Sequence, residues 1–329
     1  MRILLAPDSF KEAASAEAIA QAMARGIKRG DPQAECRLLP LSDGGEGLTH
    51  ALVHATGGTL HDVETVDAVG RPIIAQFGFL GNKHTSRTAV VELASASGLE
   101  QVSPADRDPM AASTFGTGLL IRAAIDAGAD RIVLGLGGSA TTDGGTGLAH
   151  AFGFRFLDAH DSDIPLGGGA LVDLARIDDS RVSDSIKNVP IVLACDVTNP
   201  LTGPEGAAHV LRPAKRRDRQ HKVELLDQGL ANLARAIMQY NGRDIEHTPG
   251  AGAAGGTGGG VLGLFNATVK RESNSCLILH MAVKRALGLT SSSPEKVLST
   301  VKRHTAKCQA ALQNWRNRKE NQPLPSAER

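Results

Sequence analysis

Aromatic residues are scarce in this chain of 329 residues, with one Trp, one Tyr and eight Phe, so its cores must be built from aliphatic side chains and alanine, as in α/β enzymes. No apolar run approaches the 18 or so residues that span a bilayer, which excludes a membrane helix. Cysteine is sparse too. Cys36, Cys195, Cys276 and Cys308 show no CxxC spacing, which argues against a disulfide scaffold or a zinc knuckle and for reduced thiols in a cytoplasmic protein. The opening MRILLAPDSFK carries too short an apolar stretch before Pro7 and Asp8 for a signal peptide, and reads as a first strand. Internal repeats are absent, and net charge is close to nil at +1.

Glycine, at 37 residues, is what the chain has in abundance. The length exceeds what one hydrophobic core usually serves, so two domains are expected. Short aliphatic runs ending in Gly, Asp and Ser clusters alternate with helical patterns. RILLAP (2 to 7) precedes a helix capped by Ser15, with Ile19, Met23 and Ile27 on one face; RLLPLSDGGEG (37 to 47) leads into LTHALVHATGG. A helix over 116–130 runs into the strand RIVLGLG and another helix, GLAHAFG, while VPIVLACDV (189 to 197) ends at TNPLTGPEG. Strands that finish in such loops, with helices between, predict α/β domains with parallel or mixed sheets whose carboxyl edges carry the site.

The stretch VLGLGGSATTDGGTG (133 to 147) concentrates six glycines around one carboxylate, Asp143. Three readings are open. Gly135, Gly137 and Ala140 match the dinucleotide fingerprint GxGxxA, with Asp158 about 20 residues on. Alternatively, backbone N–H groups with Ser139, Thr141 and Thr142 receive a phosphoryl or carboxylate oxygen while Asp143 holds a metal ion or accepts a proton. A third possibility is that the glycines serve only close packing.

Seven blocks taken together are more specific. APDSFKEA (6 to 13), LSDGGEG (41 to 47), ELASASGL (92 to 99), STFGTG (113 to 118), LGLGGSATTDGG (134 to 145), CDVTNPLTGPEGAA (195 to 208) and GAGAAGG (250 to 256) resemble, in order and spacing, the glycerate kinase family of bacterial glycerate 2- and 3-kinases, over roughly residues 1 to 265. The resemblance implies transfer of the γ-phosphoryl group of ATP, with Mg²⁺, to a hydroxyl of D-glycerate. It also implies a terminal domain of residues 1–65 with 262–329 and a central domain of 66–261. ATP and glycerate are the implied partners, a membrane and nucleic acid are not, and a homodimer is left open.

Phosphoryl transfer depends on positioning and charge neutralisation more than on covalent chemistry. Asp8, Asp43 and Asp143 follow apparent strands and are the candidate catalytic carboxylates, with Asp43 and Asp143 as metal ligands. Lys11 is the cation expected to neutralise a phosphate or the glycerate carboxylate. Ser9, Ser42, Gly44, Gly45, Glu46, Gly137, Gly138, Ser139, Thr141, Asp196 and Asn199 are the candidate binding residues, and Glu92 reads equally well as a surface residue at a strand end.

Two departures from the family pattern coincide with two basic islands. Residues 211–222 hold six Lys and Arg against one Asp, and residues 270–329 hold twelve against four Glu. Where the family has FGPQKGA, this chain has LRPAKRR; CTT CGG CCC GCA AAA AGG CGC encodes the latter and, one base later, the former. LTSSSPEKV (289 to 297) likewise yields the family's DLVITGEG when read two bases later. Both islands are therefore expected to be glycerate kinase read out of frame, leaving the C-terminal part of one domain missing or non-native and the chain as written inactive or weak. The alternative is a nucleic-acid-binding tail, with Trp315 among Arg316, Arg318 and Lys319.

Overall fold

The computed structural model describes residues 2–5, 7, 16–38, 47–81, 87–210 and 217–270. The first aliphatic run is strand β1 (Arg2–Leu5), which pairs in parallel with β2 (Glu35–Leu38) across helix α1 (Ala16–Gly30). On α1, Ala20 is the fully buried residue, whereas Met23 is 44% exposed and Ile19 and Ile27 are half-buried, so the apolar face is only partly covered.

A six-stranded sheet follows. After α2 (Leu48–Thr56), β3 (Thr59–Val66) and β4 (Pro72–Phe79) form an antiparallel pair that the sequence reading did not assign. Next come β5 (Thr88–Glu92), the short helix α3 (Ala94–Ser97), α4 (Phe115–Asp126) and β6 (Arg131–Gly135). Helix α5 (Thr146–His150) leads to an antiparallel pair of short strands, β7 (Arg155–Leu157) and β8 (Arg176–Asp178), with Arg155 bridging Asp163 and Asp178. Helix α6 (Asp184–Lys187), β9 (Ile191–Ala194), α7 (Ala207–Val210), α8 (Arg217–Asn241), α9 (Thr257–Leu264) and β10 (Ala267–Lys270) complete the described chain.

The sheet order is β10-β9-β6-β5-β4-β3. The four strands from β5 to β10 are parallel and β4 runs against β5, so the sheet is mixed, as expected for the class. Strand alternation divides the packing between the faces. Phe77, Phe79, Ala89 and Val91 join the main core with Leu120 and Ile121 of α4. On the other face α2 lies so close over Gly78 that a Cβ there would stand 2.2 Å from a Val53 methyl. The main core extends to Leu226, Leu230, Leu233 and Ile237 of α8 and to Phe265, every one of them buried. Such aliphatic burial, at about 25 cal/mol per Å², is the dominant stabilising term.

Of the two basic islands, 211–216 and 271–329 lie outside the described residues, while 217–222 continue as the first turns of α8. No helix among the described residues is long and apolar enough to cross a membrane.

Candidate active site

The carboxyl ends of β5, β6 and β9 share one sheet edge, and each opens into one of the sequence blocks singled out above. Glu92, the last residue of β5, is only 5% exposed and so is not a surface residue. Its carboxylate accepts the backbone N–H of Gly47 at 2.9 Å and of Thr49 at 2.5 Å, at the start of α2. Burial pushes the carboxyl upward from its ordinary range, against the opposing pull of those two N–H groups and of His50.

The loop after β6 begins with a partly exposed tip and then dives inward. Gly137, Ser139 and Ala140 are half-buried and Gly138 is exposed, whereas every residue from Thr141 to Ala149 is buried. In the tip, Ser139 Oγ accepts the Thr141 N–H at 3.1 Å and lies 3.0 Å from the Thr141 hydroxyl, a local turn typical of Ser and Thr. The neighbouring β5 loop clamps it, with Leu99 N–H donating to Gly138 O and Ala140 N–H to Ser97 O.

Asp143 lies beneath this tip with no exposed surface. Its Oδ2 accepts from Thr114 N–H at 2.7 Å, the Thr114 hydroxyl at 2.8 Å, Gly147 N–H at 3.2 Å and the Ser113 hydroxyl at 3.3 Å, and its Oδ1 accepts Gly145 N–H at 3.1 Å. The two hydroxyls also accept, Thr114 from Leu148 N–H and Ser113 from Phe115 N–H, so each has its one proton free for Asp143. The proton count fits an anionic carboxylate. Burial still pushes its pKa upward, with the donors from Thr114, Gly145 and Gly147 opposing. Both oxygens are engaged at the starts of α4 and α5, and neither faces solvent. Among the described residues, no group of three or more His, Cys, Asp or Glu is placed to hold a metal ion.

Close packing accounts for much of the glycine. A Cβ on Gly255 would stand 1.8 Å from Thr141 O, and one on Gly260 would stand 1.9 Å from Gly144 O, while Gly144 N–H donates to Gly255 O. Two glycine blocks far apart in the chain thus meet backbone to backbone.

After β9, Asp196 is exposed at the sheet edge. The Asn199 side chain closes its own loop, donating to Glu205 O at 2.9 Å, while the Asn199 backbone carbonyl accepts Gly252 N–H. Asp8, Ser9, Lys11, Ser42, Asp43, Gly44, Gly45 and Glu46 lie outside the described residues. Ser113 and Thr114 are participants that sequence reasoning left without a role; a hydroxyl pair just before a helix, in a block already noted, was the available signal.

Fold and loops define an α/β protein whose glycine-rich blocks open at the carboxyl ends of parallel strands, where such folds take their ligands. Comparison with known proteins makes this specific. The sequence model described as "Glycerate kinase family" matches residues 3–287, and the chain belongs to that family of kinases. It is 46% identical to a glycerate kinase of Bacillus subtilis over 271 residues, 82% of this chain and 70% of the relative. It is 40% identical to the glycerate 2-kinase of Escherichia coli over 270 residues, with the same two shares. The crystal structure of a protein described as glycerate kinase 2 from Salmonella typhimurium LT2 is similar at a TM-score of 0.75 and 41% identity, covering 87% of this chain and 75% of that one.

The dinucleotide reading is corrected by the geometry. A fingerprint needs its helix to start at the glycines, but here α5 begins only at Thr146, well past Gly135, Gly137 and Ala140. Asp158 serves a tight turn, accepting the N–H groups of His160 and Ser162, which also hold its carboxyl below the usual range.

Proposed function

We propose that this chain is built as a glycerate kinase, transferring the γ-phosphoryl group of ATP to a hydroxyl of D-glycerate. The observation that carries the reading is the Gly137–Ala140 tip, held at the carboxyl edge of the sheet by its neighbours in a chain of this family. Backbone amides in such a tip can receive phosphoryl oxygens without reorganising as the charge moves. In the reaction the glycerate oxygen bonds to the γ-phosphorus and the bond to the ADP oxygen breaks. The hydroxyl proton goes to a carboxylate, for which Asp8 or Asp43 is proposed. Lys11 is assigned the neutralising charge, with Ser9, Ser42, Gly44, Gly45, Glu46 and Asp196 as binding groups. Asp143, with both oxygens engaged, is a positioning residue that fixes the loop under the tip. Mg²⁺ belongs to the reading as the usual companion of ATP, but Asp143 does not fit as its ligand, and no step is routed through the metal.

A cytoplasmic location fits the sparse cysteines. The division into a terminal domain of 1–65 with 262–329 and a central domain of 66–261 is supported by β1 and β2 forming a sheet apart from the six-stranded one, although β3 and β10 belong to the larger sheet. Activity of the chain as written is low, because the family match ends at 287 and LTSSSPEKV at 289–297 stands where the family has the glycine-bearing DLVITGEG. The residues of the alternative nucleic-acid-binding tail, Trp315 among Arg316, Arg318 and Lys319, lie outside the described residues.

The test is an ADP-release assay with D-glycerate on the chain as written and on its frame-restored counterpart. The restored chain is expected to phosphorylate glycerate and to be stabilised by ATP with Mg²⁺ through linkage, about 2.7 kcal/mol at a hundredfold excess over Kd. Stabilisation by NAD with no response to ATP or glycerate overturns the reading.

A further inference from the structure

The tip that follows β6 rests on a turn of the β5 loop, and one side chain braces that turn. Leu99 donates its N–H to Gly138 O at 2.8 Å, and Val102 packs with Ala140 in a small apolar cluster completed by Ala68, Val69 and Ala112. The tip is thus held at Gly138 and at Ala140 by residues 99 and 102. The carbonyls of the same two residues accept from a single guanidinium: Arg107 donates from Nη2 to Leu99 O and from Nε to Val102 O, each at 3.0 Å.

A planar guanidinium offers its donors in a fixed fork, so two bonds from one group set the separation of the two carbonyls. Its charge, moreover, is not neutralised. Arg107 forms no ion pair among the described residues, and the aspartates on either side of it are matched elsewhere, Asp106 with Arg71 at 3.0 Å and Asp108 with Lys222 at 3.1 Å. Arg71 also bonds this turn, at Gln101 O, but its own charge is met by Asp67 and Asp106. The cluster that seats Ala140 is apolar and does not need the charge, and Arg107 itself is exposed. An unpaired guanidinium two hydrogen bonds away from a backbone tip adds a positive field where phosphoryl oxygens bind.

We infer that Arg107 is a positioning residue for the phosphates of ATP: through Leu99 and Val102 it sets the shape of the Gly137–Ala140 tip, and it lends that tip an unpaired positive charge. This role rests on the reading of the tip as a phosphoryl-binding loop. It differs from a stabilising role in that loss of an exposed side chain perturbs the tip and one ligand rather than the sheet.

The experiment uses the full chain with Arg107→Gln, which removes both charge and fork, and with Arg107→Lys, which keeps the charge alone. Amide hydrogen exchange, thermal melting and calorimetric titrations with ATP plus Mg²⁺ and with D-glycerate are measured on the parent and both variants. For Arg107→Gln the expected result is several-fold faster exchange over residues 99–102 and 137–141, a thermal midpoint within about 2 °C of the parent, an ATP Kd raised about tenfold and an unchanged glycerate Kd. Arg107→Lys is expected to show the same faster exchange with a smaller rise in the ATP Kd. Unchanged exchange at the tip in both variants overturns the inference, and so does an ATP Kd for Arg107→Gln within about twofold of the parent. Faster exchange spread evenly through β5, β6 and α4, or a matching rise in the glycerate Kd, is the mark of general damage and overturns it too. If the parent chain itself binds no ATP, the phosphoryl reading of the tip fails and this role with it; that outcome is distinct from a failure confined to the variants.

Discussion

Replacing Asp143 by Asn is the sharpest test of how the site loop is held. The best placement of Asn puts its carbonyl oxygen where Oδ2 accepts four donors and its amide where Oδ1 accepts Gly145 N–H. Four bonds then lose their charge assistance, about 1 kcal/mol each, and two donors face each other at Gly145, costing about 1–3 kcal/mol more. Relief from burying a charge returns several kcal/mol. The net loss is about 2–4 kcal/mol, a sizeable part of a domain's margin of about 5–15 kcal/mol. At about 2–4 °C per kcal/mol, the thermal midpoint falls by roughly 5–15 °C without any ligand present. Circular dichroism melting of the variant measures this directly. A midpoint within 2 °C or so of the parent refutes the reasoning, because a carboxylate reserved for metal or proton transfer leaves the unliganded fold unchanged when made neutral.

Other expectations follow from the same geometry. Gly147→Ala puts a Cβ 2.1 Å from Ser113 Oγ and 2.8 Å from Asp143 Oδ2; a loss of about 1–3 kcal/mol is expected from overpacking, and an unchanged urea midpoint contradicts it. At Asp67, burial pushes the carboxyl up but is outweighed by the Arg71 backbone and guanidinium and by Val69 N–H, so its folded pKa lies below the ordinary carboxylate value. Its stabilisation is therefore present above about pH 4 and disappears as pH falls through the lower folded value. Asp67→Asn is expected to be less stable than the parent at pH 7, with the gap closing in strong acid; a gap constant from neutral to about pH 2.5 refutes the assignment. In the frame-restored chain, Asp43→Asn is expected to lower the rate of glycerate-dependent ADP release by about 10²–10⁴, the usual share of a general base, and retention of more than a tenth of the rate excludes it as the base.

Much of the parallel sheet was legible in the sequence because buried parallel strands are continuous aliphatic runs. RILLAP, RIVLGLG and VPIVLACDV contain β1, β6 and β9. The β3–β4 pair was not, since the polar and charged TLHDVETV lacks such a run and pairs along its whole length with β4. Glycine blocks announced the site loops but not the direction of their carboxylates. Nothing local to Asp143 reveals that Ser113 and Thr114, in a separate block, aim their hydroxyls at it. Glu92 was ambiguous for the same reason: a strand end is exposed or buried according to what packs over it, and α2 is remote in sequence.

The seam between the two glycine blocks bears on the order in which the molecule assembles. The carbonyl of Thr141 and the backbone of Gly255 touch with no side chain between them, so the shape of the site loop is completed by a segment made long after the loop itself. Closing so long a stretch of chain is an entropic cost met before the contact contributes anything, which makes it a slow, late event. A nascent chain halted before residue 250 would hold β5 and β6 yet leave the loop over Asp143 without its lining. Competence at this site thus waits on the block around Gly255, and a change in that later block acts on the loop by delaying its closure.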